Sequence, residues 1–382
     1  MASNGKRKPH RGITEDDEMM LRVATDMFSG GAHRSCREVA EAQHITPQAV
    51  VALVERAHRE GIITTLVLRP REQIEVARLE GAVRSQYGLE KVLLVPGDPD
   101  VLNDLDQHQR RSIQRQVLHL MAQRFAEHFD ALLVAAAARQ RAAIKAGRGA
   151  VPFVVGVAWG RTMHLLARHL LSTPRPLRLA GLHVVPIVGI TSALRADPVE
   201  ANVVAMDIAR AYGGLSAQLP CPAFVFADEA GVVTQTRQVR RMLAKIRTDC
   251  EVVVTGMGPI PETASAMDIT VSPDPVSNEE LFNAARNAGA IGEICYWLFG
   301  RDGKEVRASY KSLGLGFDGL WHLARDPKRQ VVLVTGGDRW RFEPLKVALR
   351  AGLASVLVSD TVTARYLVDE LQSVTAGPIA GR

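Results

Sequence analysis

The chain has 382 residues, of which 47% are hydrophobic and 23% charged, and its formal net charge is +6. These are the proportions of a globular protein with length for two or three domains, and they exclude fibrous and disordered classes. No stretch approaches the ~20 apolar residues of a membrane span. The basic start lacks an apolar core behind it, and four isolated cysteines carry no disulfide or CxxC pattern, so a reducing cytoplasm is expected.

In chain order, residues 1–70 read as a helical head. Lys6, Arg7, Lys8 and Arg11 form a basic arm suited to a phosphate backbone. Thr14 with Asp16, Asp17 and Glu18 suits a helix start, and Met20, Val23, Ala24, Met27 and Phe28 follow at helical spacing up to Gly30-Gly31. Ser35 opens a short helix carrying Val39 and Ala40. Thr46-Pro47 opens a third, with Val50, Val51, Val54 and Ala57 on one face. After Gly61 the β-branched run Ile62, Ile63, Thr64, Thr65 and Val67 reads as a strand or wing. The order is that of a winged helix-turn-helix; a three-helix interaction module gives the same pattern.

Residues 71–89 read as a linker helix with a seam of Val76, Leu79 and Val83. It either packs on the next domain or forms a dimer contact that spaces two heads. From residue 90 to 382, strands and helices alternate. Strands are expected at 91–95, 152–157, 182–188, 223–226, 251–255, 331–335 and 355–358, most of them continuous apolar runs suited to a parallel sheet buried on both faces. Helices are expected at 105–140, 162–171, 199–212, 235–248, 278–289 and 343–351. The fold class is therefore α/β, a helix-turn-helix followed by a Rossmann-like, mainly parallel sheet domain.

Ligands of such sheets bind beyond the carboxyl ends of strands, where small loops lead into helix amino termini. Three junctions fit: Gly156 to Thr162, Thr255 to Pro259, and Thr335 to Arg339. No GxxxxGKS/T and no GxGxxG stands at a strand-to-helix junction, so a phosphorylated small molecule is favoured over ATP or NAD. Catalytic patterns are poor. His164 and His169 do not share a helix face, and His183 lies inside an apolar strand. Glu251, Asp268 and Glu293 are possible general acids or bases that nothing in the sequence pairs.

Seven segments in order resemble bacterial transcriptional regulators of the SorC family. They are Ala57-His58-Arg59-Glu60-Gly61-Ile62-Ile63; Gln86-Tyr87-Gly88-Leu89; Gly156-Val157-Ala158-Trp159-Gly160-Arg161-Thr162; and Val185 to Gly189, followed by Asn202 and Ile208 to Gly214. Then come Gly256-Met257-Gly258, Gly289 to Ile294 with Asp302-Gly303, and Gly336-Gly337 through Ala348-Leu349. The resemblance implies an effector domain related to phosphosugar isomerases and deaminases but used for binding, without catalytic residue, metal or cofactor. It implies duplex operator DNA and a carbohydrate or sugar phosphate as partners, no membrane, and a homodimer or homotetramer. By similarity Gly160, Arg161 and Thr162 line a phosphate site with Gly189, Asn202, Gly256, Gly258, Gly336 and Arg341 nearby. The DNA contacts fall on Thr46, Gln48 and Arg56 of the recognition helix, with Arg34, Arg37 and Arg59 around it.

Two departures stand out. The recognition helix is apolar and uncharged until Glu55-Arg56, although Gln48 can still pair with adenine. The Lys usual after Gly-Gly is replaced by Trp340 or Arg341, depending on a one-residue gap; Arg holds a phosphate as a fork, whereas Trp suits an unphosphorylated ligand. The alternatives are a phosphosugar isomerase- or deaminase-type enzyme with an added helical domain, and a sugar sensor that has lost DNA binding.

Overall fold

The computed structural model describes residues 15–28, 35–59, 70–103, 106–149, 151–172, 177–179, 181–190, 199–226, 236–260 and 275–370. Among the described residues the head contributes three helices: α1 (Glu15–Phe28), α2 (Cys36–Gln43) and α3 (Pro47–Arg59). Ser35 and Glu38 close a capping box at the start of α2, and His44 ends it at φ 54°, a left-handed turn before α3. Val23, Val39, Ala40 and Val50 form the small core between the three helices. The wing expected at 62–67 and the basic arm lie outside the described residues.

Helix α4 (Pro70–Tyr87) runs into β1 (Lys91–Val95). Its Leu79 and Val83 are fully buried in the core of the sheet domain. Glu80 accepts the Leu94 N–H at 2.9 Å, satisfying a donor on an edge strand, and Tyr87 Oη donates to the Leu367 carbonyl at 2.8 Å. Packing on the sheet domain, one of the two readings of this segment, is observed.

The remaining elements are α5 (Gln107–Lys145), β2 (Phe153–Val157), α6 (Arg161–Ser172), β3 (Leu182–Pro186), α7 (Ala201–Tyr212), β4 (Leu215–Ser216), β5 (Phe224–Phe226) and α8 (Arg237–Asp249). They continue with β6 (Cys250–Thr255), β7 (Gly258–Pro259), α9 (Pro275–Asn287), β8 (Gly292–Ile294), β9 (Trp297–Phe299), β10 (Glu305–Val306) and β11 (Tyr310–Ser312). The chain closes with α10 (Phe317–Arg325), β12 (Gln330–Val334), α11 (Phe342–Arg350), β13 (Val356–Asp360) and α12 (Thr361–Leu367).

Seven strands form one parallel sheet in the order β1-β13-β12-β6-β2-β3-β4. From β2 the chain steps outward through β3 to β4, then returns to the other side of β2 and builds β6, β12 and β13 toward β1. The strand order therefore reverses between β2 and β6. A four-stranded antiparallel sheet, β10-β9-β8-β7, extends from the loop after β6. The expected strand at 223–226 exists, but as β5 it pairs antiparallel with β11 and lies outside the main sheet. Its apolar run signals burial, which periodicity alone cannot assign to one sheet or another.

Asp360, at the end of β13, is 1% exposed. Its carboxylate accepts from the N–H groups of Val362 and Thr363 (both 3.0 Å), the Thr363 hydroxyl (2.7 Å) and the Gly337 N–H (2.8 Å). One side chain thus caps α12 and fixes the loop after β12. A Cβ at Gly336 would lie 2.3 Å from its Oδ2, which explains glycine there. Asp360→Ala orphans buried donors and is expected to lower the unfolding free energy by ~3 kcal/mol in urea titration. A loss below ~0.5 kcal/mol, the level of a neutral surface change, would contradict this role.

Candidate effector-binding site

At the carboxyl end of β2 the chain passes through Ala158, Trp159 and Gly160 into α6. Gly160 has φ 107°, a conformation that side chains resist, and its N–H donates to the Val199 carbonyl at 2.8 Å. The next residues, Arg161 and Thr162, form the first turn of α6, whose N–H groups have no partner within the helix and carry its positive end. Thr162 is nearly buried, and a Cβ at Gly256 would lie 3.6 Å from its Cβ. The junctions after β2 and β6 therefore meet at the point where the strand order reverses.

On the β6 and β12 side, the carboxylate of Glu293 accepts the Tyr296 N–H at 2.8 Å and also the Gly258 N–H. Glycine at 258 leaves room for it, since a Cβ would come within 2.4 Å of the carboxylate. Burial raises the Glu293 pKa, opposed by these N–H groups and the charge of Arg341. Arg341, not Trp340, turns inward: Nη1 donates to the Met257 carbonyl and to Thr335 Oγ1 (3.4 Å). With its amide oxygen facing the guanidinium, Gln114 accepts from Nη2 (3.1 Å) and Nε (3.2 Å). Trp340 is 37% exposed, with Arg339 over its ring.

An aromatic wall joins the two sides. Trp159 stacks on Tyr296, centroids 4.9 Å apart and planes within 5°. Phe224 packs between Tyr296 and Tyr310. Tyr296 is held at φ 65°, and its buried hydroxyl finds no hydrogen-bond partner among the described residues. A buried, unsatisfied hydroxyl costs about 1–3 kcal/mol, which a hydrogen bond from a ligand, water or another part of the chain would offset. Sequence reading missed Tyr296 and Gln114, and named Glu293 as an acid or base candidate without its partners Tyr296 and Gly258.

Among the other expected contacts, Gly189 packs against the backbone of Cys221 and Pro222, and Asn202 Oδ1 accepts the Leu219 N–H at 3.0 Å. Both have structural work as placed. Glu251 sits at the opposite end of β6, paired with Arg139 at 2.6 Å; His183 is half-buried at the start of β3, and Asp268 lies outside the described residues.

In the head, Gln48 and Arg37 are exposed, while Thr46 Oγ1 caps α3 by accepting the Ala49 N–H at 3.2 Å. Arg56 is bound at 2.6 Å to Asp17, a fully buried carboxylate, so its placement serves the fold of the head. Arg34 and the side chain of Arg59 lie outside the described residues.

The fold and cleft define a doubly wound ligand-binding domain carrying a helix-turn-helix head. The chain belongs to the SorC/DeoR-type family of transcriptional regulators, whose family model, described as "Putative sugar-binding domain", matches residues 71–369. It is 24% identical over 339 residues, 88% of this chain and 93% of the relative, to the deoxyribonucleoside regulator of Bacillus subtilis (strain 168). In fold it is similar to the full-length sorbitol operon regulator SorC of Klebsiella pneumoniae, with TM-score 0.57 and 16% identity over 93% of this chain and all of that one. A structure described as "a domain of a possible sugar-binding transcriptional regulator" from Arthrobacter aurescens TC1 superposes with TM-score 0.54 and 22% identity, over 77% of this chain and 97% of that one.

The raised pKa of Glu293 has a signed consequence. The fold favours its neutral acid, so the stability it contributes is full below the ordinary glutamate value of 4.5 and is lost as pH rises through the raised value. Glu293→Gln mimics the neutral form. Its melting temperature is expected to match the wild type near pH 4 and to exceed it increasingly toward pH 8; parallel curves would contradict the assignment.

Proposed function

We propose that this regulator binds duplex operator DNA through its head and is controlled by a sugar phosphate in the cleft between β2 and β6. The observation that carries the reading is the amino terminus of α6 opening where the strand order reverses, with the unsatisfied Tyr296 hydroxyl in the aromatic wall beside it. A phosphate at Gly160, Arg161 and Thr162 would meet backbone N–H groups, a helix's positive end, a guanidinium and a hydroxyl together. Gly256 and Gly258 keep the facing loop low. Glu293 and Tyr296 would bind sugar hydroxyls, and the charge of Arg341 balances the anion.

Binding without turnover fits the groups around Glu293. Burial pushes up both the Cys295 thiol and the Tyr296 phenol, so neither is a base at neutral pH. The buried carboxylate of Glu293 is the one observation that favours an isomerase-type reading. Interconversion of aldose and ketose phosphates by the wild type, abolished in Glu293→Gln, would establish that reading instead.

The phosphate reading is tested by calorimetry with sugar phosphates and their unphosphorylated parents. Arg161→Ala is expected to weaken the phosphorylated ligand by ~1.5–3 kcal/mol and to leave the parent unchanged. Equal affinity for both members of a pair would remove phosphate from the account.

For the head, exposed Gln48 would read a base edge, while the basic arm and Arg37 would supply phosphate contacts. A homodimer or homotetramer in the cytoplasm would present two heads to paired half-sites. No helix among the described residues is long and apolar enough to cross a membrane. Gln48→Ala combined with removal of residues 1–11 is expected to weaken DNA binding and flatten its salt dependence in gel-shift titrations. Unchanged affinity and slope would assign DNA contact elsewhere.

A further inference from the structure

We propose that α5 is a lever that couples the effector cleft to the DNA-binding head, with Gln114 as its polar contact at the cleft and Arg141 as its polar contact at the head. The inference rests on the sugar-phosphate reading of the cleft and adds how that site would be heard at the head.

At the cleft end, Gln114 clasps the Arg341 guanidinium through two hydrogen bonds, and the same turn of α5 lies against the loop after β12. A Cβ at Gly337 would stand 3.1 Å from Val117 Cβ and 3.4 Å from Gln114 Cα. At the far end, Arg141 pairs with Glu18 of α1, a carboxylate whose side chain is 8% exposed. Gln114 and Arg141 are about 40 Å apart at the helical rise of 1.5 Å per residue.

Three features suit α5 to carry a displacement over that length. Residues 107–145 contain no glycine and no proline, so the sequence builds in no hinge. Near its middle the helix is pinned: Phe129 packs on Phe125 and Tyr212, and the Tyr212 hydroxyl donates to buried Asp130 at 2.6 Å. Toward the head the helix carries buried Leu133, Ala136 and Ala137, which share one apolar cluster with Met20, Leu21, Ala24 and Ala57 of the head. A cleft of about 620 Å³ opens beside the Glu18–Arg141 pair, lined by Met19, Arg22, Ile45, Ala49 and Leu53 of the head. Arg139 and Gln140 tie this end of α5 to Glu251 and the Val151 carbonyl through exposed contacts that water can replace.

The differential contact is on Arg341. An anion in the cleft draws the guanidinium toward itself and away from Gln114, which releases the start of α5 from the loop after β12. Pivoting on the Phe129–Tyr212–Asp130 anchor, the helix then shifts Arg141, and with it α1 and the α3 packed on α1. A ligand moves an equilibrium only through such a difference between states.

Hydrogen–deuterium exchange on the full chain tests this without ligand or DNA. Gln114→Ala, and Arg341→Gln as a second way to open the clasp, are each expected to raise exchange in residues 15–28 several-fold. In an Arg141→Ala background the clasp variants should add nothing there, whereas unconnected sites this far apart act independently. Changes confined to the cleft loops and the first turns of α5, or additive effects with Arg141→Ala, would overturn the lever. Pentose and hexose phosphates added to the wild type should reproduce the change in α1. If none does while the clasp variants do, the lever stands and the proposed ligand class falls. A sugar phosphate that binds by calorimetry yet leaves α1 unchanged refutes the lever.

Discussion

The reversal of strand order between β2 and β6 is the constraint on which the rest of the molecule depends. In a parallel sheet each strand-to-helix loop leaves at the carboxyl edge, and neighbouring loops crowd one another wherever the chain keeps stepping in one direction. At the reversal the loops diverge and leave a crevice. Here that crevice is bordered by the first turn of α6 on one side and by the Gly256–Gly258 loop on the other. Binding chemistry collects there because helix ends and backbone donors face it before any side chain is chosen.

The polar groups around the crevice show how the loops are held. Asp360 fixes the loop after β12 from below, Arg341 ties that loop to the one after β6, and Glu293 ties the latter to the β8–β9 turn. Arg341 combines two roles, since the Met257 carbonyl, the Thr335 hydroxyl and the Gln114 amide that hold it in place occupy donors an anion would also seek. That competition separates a static phosphate site from one able to report occupancy. The same economy governs the head, where Arg56 neutralises buried Asp17 and leaves Gln48 and Arg37 on the surface.

Much of the fold was legible in the sequence because long, continuous apolar strands and capped helices carry strong local signals. All three glycine-containing junctions stand at carboxyl ends of parallel strands, as their position after apolar runs implied. Strands β4 and β7 to β11 were not legible, since segments of two or three residues are too short for a period to show. The site was legible only in its local half. Gly160, Arg161 and Thr162 are adjacent in sequence, and so are Gly256 and Gly258. The stacking of Trp159 on Tyr296 and the Gln114–Arg341 clasp join segments more than a hundred residues apart and have no local signature. Asn202, Gly189 and Arg56 also make contacts that hold the fold.

The central claim, that the crevice at the reversal receives a sugar phosphate, is tested most directly by a crystal structure of the full chain with a bound pentose or hexose phosphate. The expected result is phosphate density at the amino terminus of α6, within hydrogen-bond distance of the Arg161 and Thr162 N–H groups, with the sugar against Glu293 and Tyr296. Density for the ligand elsewhere, such as the cleft between α1, α3 and α5, with the α6 terminus closed by the chain's own side chains, would contradict it.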